Sequence, residues 1–125
     1  MIPAYFLPVL ALGAVGATAR YLLDAYVAAR FPSTLPWGTF AVNMSGSMLL
    51  GFLTGLVTFA GGPTALKVIL GTGFCGAYTT FSTFTFETVR LIEERSLYEA
   101  ATNILASFFA GLLAAGAGLA LGAWI

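Results

Sequence analysis

The sequence contains no histidine, a single cysteine (Cys75) and only ten charged side chains in 125 residues, five basic and five acidic. Each shortage excludes something. Without histidine, and with one thiol, there is no ligand set for a zinc site and no Ser/His/Asp or Cys/His catalytic group. One cysteine cannot close an internal disulfide, so the redox compartment is unreadable. A net charge of zero without a basic patch excludes nucleic acid as a partner. An average soluble domain is about a quarter charged, whereas this chain is 8% charged and 59% hydrophobic, with a mean hydropathy of +0.95. Ten charges and a few hydroxyls cannot coat a water-soluble fold of this size. The composition is that of a membrane protein.

The charges are clustered. They fall at Arg20, Asp24, Arg30, Lys67 and then between Glu87 and Glu99, leaving uncharged stretches at 1–19, 31–66, 68–86 and 100–125. A crossing of a hydrocarbon core of about 30 Å takes about 20 mainly apolar residues, so four helices use roughly 80 and leave about 45 for connections. The expected spans are 4–29, 37–60, 67–95 and 97–124, in one domain over 1–125. The first helix is expected to begin between Pro3 and Pro8, because proline is tolerated in a first turn. Trp37 is placed to anchor the second helix at the interface, and Gly61-Gly62-Pro63 to end it. No basic residue precedes the first apolar run, so it does not read as a cleavable signal peptide. Arg20, Arg30, Arg90 and Arg95 on one side against Lys67 on the other give a modest orientation bias.

Polar residues recur where lipid is expected. Thr39, Asn43 and Ser47 are spaced by four, as are Asn103, Ser107, Gly111 and Ala115, so each set stacks along one helix face. Such residues serve either as interhelical hydrogen-bonding glue or as the wall of a polar track. Gly51-x-x-x-Gly55 and Gly118-x-x-x-Gly122 are close-packing signals. The third span carries Gly71, Gly73 and Gly76, followed by the hydroxyl-rich run Thr79 to Thr85. Each glycine weakens a helix by about 1 kcal/mol relative to alanine. The expectation is a helix broken near the midplane around 76–80, whose freed carbonyls need a buried partner such as a cation. The alternative is a continuous helix whose hydroxyls bond back to their own turns. Gly71, Gly73 and Gly76 also fit G-x-G-x-x-G, but without a soluble βαβ context that match is a decoy.

Phe81 and Phe84 are three apart and share a face. They are either core packing or a pair of rings whose positive edges, with amide and hydroxyl donors, line a path for a small anion. Arg20 either draws anions toward a vestibule, snorkels, or pairs with Asp24. Glu87 and Arg90 read as an i, i+3 ion pair at the membrane edge.

Gly13-x-x-Gly16-Ala17-x-x-Arg20-Tyr21, Gly38-Thr39-x-x-Val42-Asn43-x-x-Gly46-Ser47 and Gly73-Phe74-Cys75-Gly76-x-x-Thr79-Thr80-Phe81-Ser82-Thr83-Phe84 resemble the fluoride channel family known as Fluc or CrcB. The likeness runs through the whole chain, and the third-span string is its specific part. The resemblance implies an all-α membrane protein with four transmembrane helices, inserted in both orientations and paired as an antiparallel homodimer with two fluoride pores. It implies a structural sodium ion (Na+) at the dimer centre, held by the main-chain carbonyls of Gly76 and Thr79. It further implies an aromatic box of Phe81 and Phe84, a fluoride donor at Asn43, a polar track continued by Ser107, a lining extended by Thr39 and Thr80, and Arg20 in the aqueous vestibule.

Gly111 and Ala115 depart from the hydroxyls that family members often carry there, and the four-to-one basic count is lopsided for dual topology. The implied activity is passive, fluoride-selective export across the cell (inner or plasma) membrane, lowering fluoride toxicity. Two other readings remain. A small multidrug exporter of dual topology needs a membrane-embedded carboxylate, and the second and fourth spans have none. A non-transporting assembly subunit would use the polar stripes as glue. An enzyme is not expected, because no titratable cluster lies within the apolar spans.

Overall fold

A computed structural model describes residues 4–125, all helical apart from short connections. Among the described residues three helices are long and apolar enough to cross a membrane: α1 (Phe6–Arg30), α2 (Trp37–Phe59) and α6 (Leu97–Trp124). At 1.5 Å per residue even the 23 residues of α2 reach roughly 35 Å, more than the hydrocarbon thickness. Pro8 sits in the first turn of α1, where its missing N–H is harmless; Pro3 lies outside the described residues. Pro32 and Pro36 keep the link to α2 out of helix. Gly61 ends the α2 corner with φ +74°, which a side chain would resist, and the Gly62 N–H closes onto the Leu56 carbonyl at 2.9 Å.

The stretch between α2 and α6 is a succession of short pieces. It runs α3 (Thr64–Leu66), a π-wound segment π1 (Lys67–Cys75), α4 (Gly76–Tyr78), two extended residues, and α5 (Phe81–Glu93). The backbone leaves the helix at Thr79 (φ −79°, ψ 157°) and Thr80 (φ −144°, ψ 119°), so the helix is interrupted. The winding before the interruption is a finding the sequence did not suggest. Two glycines, Gly71 and Gly73, leave the α ladder weak there, and α1 packs directly on the segment's backbone. A methyl at Gly16 would strike the Phe74 carbonyl, and one at Gly73 would lie 3.0 Å from the Val9 carbonyl. Several hydroxyls do bond back to their own turns: Thr79 to Cys75 and Thr85 to Phe81, both 2.9 Å.

The closest helix pair is α2 with α6. Gly51 and Gly55 meet the backbone of Ala115 and Leu119, while Gly118 and Gly122 meet that of Met48 and Phe52. Both small-xxx-small signals therefore face each other across one interface, where missing side chains let the two backbones touch. Few large side chains are fully enclosed; Val42, Leu53 and Leu91 are the largest. Much larger ones, Phe81 and Trp124 among them, stand outward. A molecule with this little interior and this much apolar exterior is stable only in lipid or against another apolar surface.

The expected Glu87–Arg90 ion pair does not form, nor does one between Arg20 and Asp24. Among the described residues no acid and base approach within 4.0 Å, and Glu87 Oε1 is buried without a hydrogen-bond partner. Glu87 lies partly buried beside Thr39.

Candidate functional site

The helix interruption exists because its polar groups find partners in α2. Asn43 Nδ2 donates to the Thr80 carbonyl at 3.0 Å, and the Thr80 N–H donates to Asn43 Oδ1 at 2.8 Å. The side-chain amide thus pairs with the one extended residue Thr80 as a neighbouring strand would, satisfying backbone groups that the break in the helix leaves bare. Downstream, the Thr80 hydroxyl accepts from the Thr83 N–H at 3.0 Å and caps α5. These two arrangements release two carbonyls. In a continuous helix Gly76 would accept from the Thr80 N–H and Thr79 from the Thr83 N–H, and both donors are taken elsewhere. Gly76 and Thr79 are the residues whose carbonyls the family resemblance implies for a cation, and a main-chain cation site needs carbonyls free of the helical ladder.

Beside the interruption, α2, the broken segment and α6 enclose an open groove of about 500 Å³. Asn43, Thr80, Phe81, Phe84 and Ser107 line it, together with Gly76 and Thr79. The Phe81 and Phe84 rings lie 6.0 Å apart, tilted by 39°. Phe84 faces inward, while Phe81 is 79% exposed at the rim of the groove, which is open on that side. Asn43 has one amide hydrogen left after its bond to Thr80, and that hydrogen is what it can offer an anion. No Asp, Glu, Lys or Arg lines the groove.

One expected lining residue, Thr39, is not brought to the groove, and Arg20, expected in the vestibule, lies apart from it. Residues four apart on a helix differ by about 40° in direction, since each residue turns about 100°. That drift swings Thr39 away from the Asn43 face and toward α5, where its hydroxyl is buried without a partner beside Glu87. Arg20 projects from α1, which the groove does not touch. On α6, Ser107 and Gly111 line the groove but Asn103 does not. Asn103 is buried and donates to the Thr88 hydroxyl at 2.9 Å, tying α6 to α5. It is glue, not track. Sequence reasoning passed over Tyr78 and Ser45, whose hydroxyls meet at 2.8 Å next to the interruption. A lone tyrosine ahead of two threonines in an apolar run was the available signal.

A family model described as CrcB-like protein, Camphor Resistance (CrcB), matches residues 7–119. The chain is 47% identical over 114 residues to Fluoride-specific ion channel FluC 1 of Streptomyces avermitilis, covering 91% of this chain and 92% of the relative. It is 45% identical over 122 residues to Fluoride-specific ion channel FluC 2 of Mycobacterium tuberculosis, covering 98% and 90%. To Fluoride-specific ion channel FluC of Methanocaldococcus jannaschii it is 52% identical over 93 residues, covering 74% and 73%. With a match spanning nearly all of α1 through α6, the chain belongs to the CrcB-like family.

Proposed function

We propose that the protein is a multi-pass membrane channel that passes fluoride selectively and passively, releasing it from the cytoplasm. The observation that carries this reading is the groove beside the interrupted helix, where an amide, hydroxyls and two phenyl rings converge with no charged side chain. Fluoride is small and tightly hydrated, so it enters such a place only if donors and positive ring edges replace its water. The absence of a trapping lysine or arginine among the lining residues keeps binding weak enough for the ion to leave. The family membership and the names of the relatives point the same way.

The broken segment from Thr64 to Glu93 acts as the fourth crossing, and a second copy in antiparallel orientation supplies the missing wall. Supporting this are the outward-facing Phe81 and the open side of the groove. In that pairing the freed Gly76 and Thr79 carbonyls of both copies would hold a sodium ion between the pores. The ion would raise the local positive potential without lying in the path. Asn43, Thr80, Phe81, Phe84 and Ser107 carry the lining; Thr39 and Arg20 take part from outside the groove. Proton-coupled drug export is disfavoured, since it requires a carboxylate at the transport site, and the groove has none.

Fluoride efflux from liposomes reconstituted with the purified protein, measured against chloride, tests the function. Fast efflux of fluoride with negligible chloride is expected; equal rates for the two halides, or none for either, would end the proposal.

A further inference from the structure

Tyr78 is the last residue of α4 and is only 7% exposed. Its ring stacks on Phe74, with centroids 5.1 Å apart and planes 22° from parallel. Its hydroxyl lies 2.8 Å from Ser45 Oγ on α2. The direction of that bond can be worked out. Ser45 Oγ also lies 2.8 Å from the Ala41 carbonyl and 3.1 Å from the Val42 carbonyl, neither of which can donate. A serine hydroxyl has one hydrogen, and Ser45 uses it on its own helix. The hydrogen between the two side chains therefore belongs to Tyr78, which donates to Ser45.

The next two residues are held by the same helix. Thr79 packs its methyl group on Gly46, where any added Cβ would collide with it. Thr80 is bound through both backbone groups to Asn43. Three consecutive residues at the interruption thus rest on Ser45, Gly46 and Asn43. We propose that Tyr78 is a positioning residue for the ion path: its bond to Ser45 fixes the upstream side of the interruption as Asn43 fixes the downstream side. Between these two points the Thr79 peptide cannot rock, and the spare Asn43 N–H keeps its direction into the groove. A site that distinguishes the smallest halide depends on donors held within about 0.5 Å of their working positions. This inference rests on the channel reading.

The test uses Tyr78→Phe, Ser45→Ala, the double variant and Ser45→Thr, which keeps the acceptor oxygen. Ser45 is exposed and Tyr78→Phe removes one atom, so none of these opens a cavity. Each is reconstituted into liposomes for fluoride and chloride efflux. Hydrogen exchange of a peptide covering 78–81 is read in parallel, with thermal unfolding as a control. Tyr78→Phe and Ser45→Ala should each slow fluoride efflux about fivefold, the worth of one hydrogen bond. Both should also raise chloride leak and speed exchange at Thr79 and Thr80, with the melting temperature unchanged in Tyr78→Phe and slightly lowered in Ser45→Ala, which leaves the Tyr78 hydroxyl without its acceptor. The double variant should be no worse than either single, and Ser45→Thr should behave as wild type. Wild-type efflux and exchange in both singles would overturn the proposal, as would effects that simply add in the double. A lowered melting temperature with an unaltered halide preference would make Tyr78 structural only. Wild-type vesicles that pass no fluoride would remove the channel reading itself, a result separate from normal flux with unaffected variants.

Discussion

Asn43 and Thr80, 37 residues apart in sequence, exchange two hydrogen bonds of 3.0 and 2.8 Å. That pair lets the helix come apart without leaving its backbone unsatisfied. It also gives Asn43 two duties, one toward the interruption and one toward the groove. Replacing it should therefore change the fold as well as the flux. Asn43→Ala strips partners from the Thr80 N–H and carbonyl together, and each orphaned group costs about 1–3 kcal/mol. A clear fall in the detergent unfolding temperature is expected beside the loss of fluoride efflux, and loss of efflux at full stability would place Asn43 in the pathway alone.

Phe81 makes the opposite case. With most of its ring outside the chain's own interior, Phe81→Ile should alter monomer stability by no more than about 0.5 kcal/mol. Fluoride efflux should nevertheless drop at least tenfold, about the loss of 1.4 kcal/mol at the barrier. Normal efflux in this variant would remove the ring from the path.

The α2–α6 seam predicts a contrast between two glycines two residues apart. At Gly118 a methyl would run into the Met48 carbonyl and force the helices apart, whereas at Gly116 there is nothing within 4 Å. Gly118→Ala should be destabilising by about 1–3 kcal/mol, as overpacking is. Gly116→Ala should be neutral or stabilising by up to about 1 kcal/mol through helix propensity. Thermal unfolding of the two variants side by side measures the difference.

Asn103 and Thr88 form a buried pair at 2.9 Å. Thr88→Val strands the Asn103 amide and should cost about 1–3 kcal/mol; adding Asn103→Leu should recover part of that, because no polar group is then left alone. A double-mutant cycle in unfolding free energy reads the coupling, and strict additivity would show that the two groups act independently.

Sodium removal addresses the freed carbonyls of Gly76 and Thr79. Purification in a large organic cation instead of sodium should lower the unfolding temperature and weaken pairing of two copies, since a bound ion stabilises the state that holds it. Unchanged stability and association across a sodium titration would show that these carbonyls hold no such ion.

How far the sequence could be read depended on whether a feature was local. The apolar lengths of α1, α2 and α6 follow from residue counts, and their corners from Pro36 and Gly61. The weakness of the helix around Gly71, Gly73 and Gly76 is likewise written in residue type. The π winding of Lys67–Cys75 was not legible, because it depends on how closely α1 lies on that backbone. The two stripes spaced by four residues were visible, but not which members would share a cavity.

Solvent, approximate span and the point of weakness were determined by the sequence alone, because bulk polarity and local helix propensity need no knowledge of neighbours. The tertiary structure decided the pairings: Asn43 with Thr80, Asn103 with Thr88, Tyr78 with Ser45, and Thr39 turned from the groove to the Glu87 corner. The reason is geometric. A stripe of residues spaced by four drifts around its helix by about 40° at each step, so its members reach different neighbours, and the crossing of α2, α5 and α6 selects them.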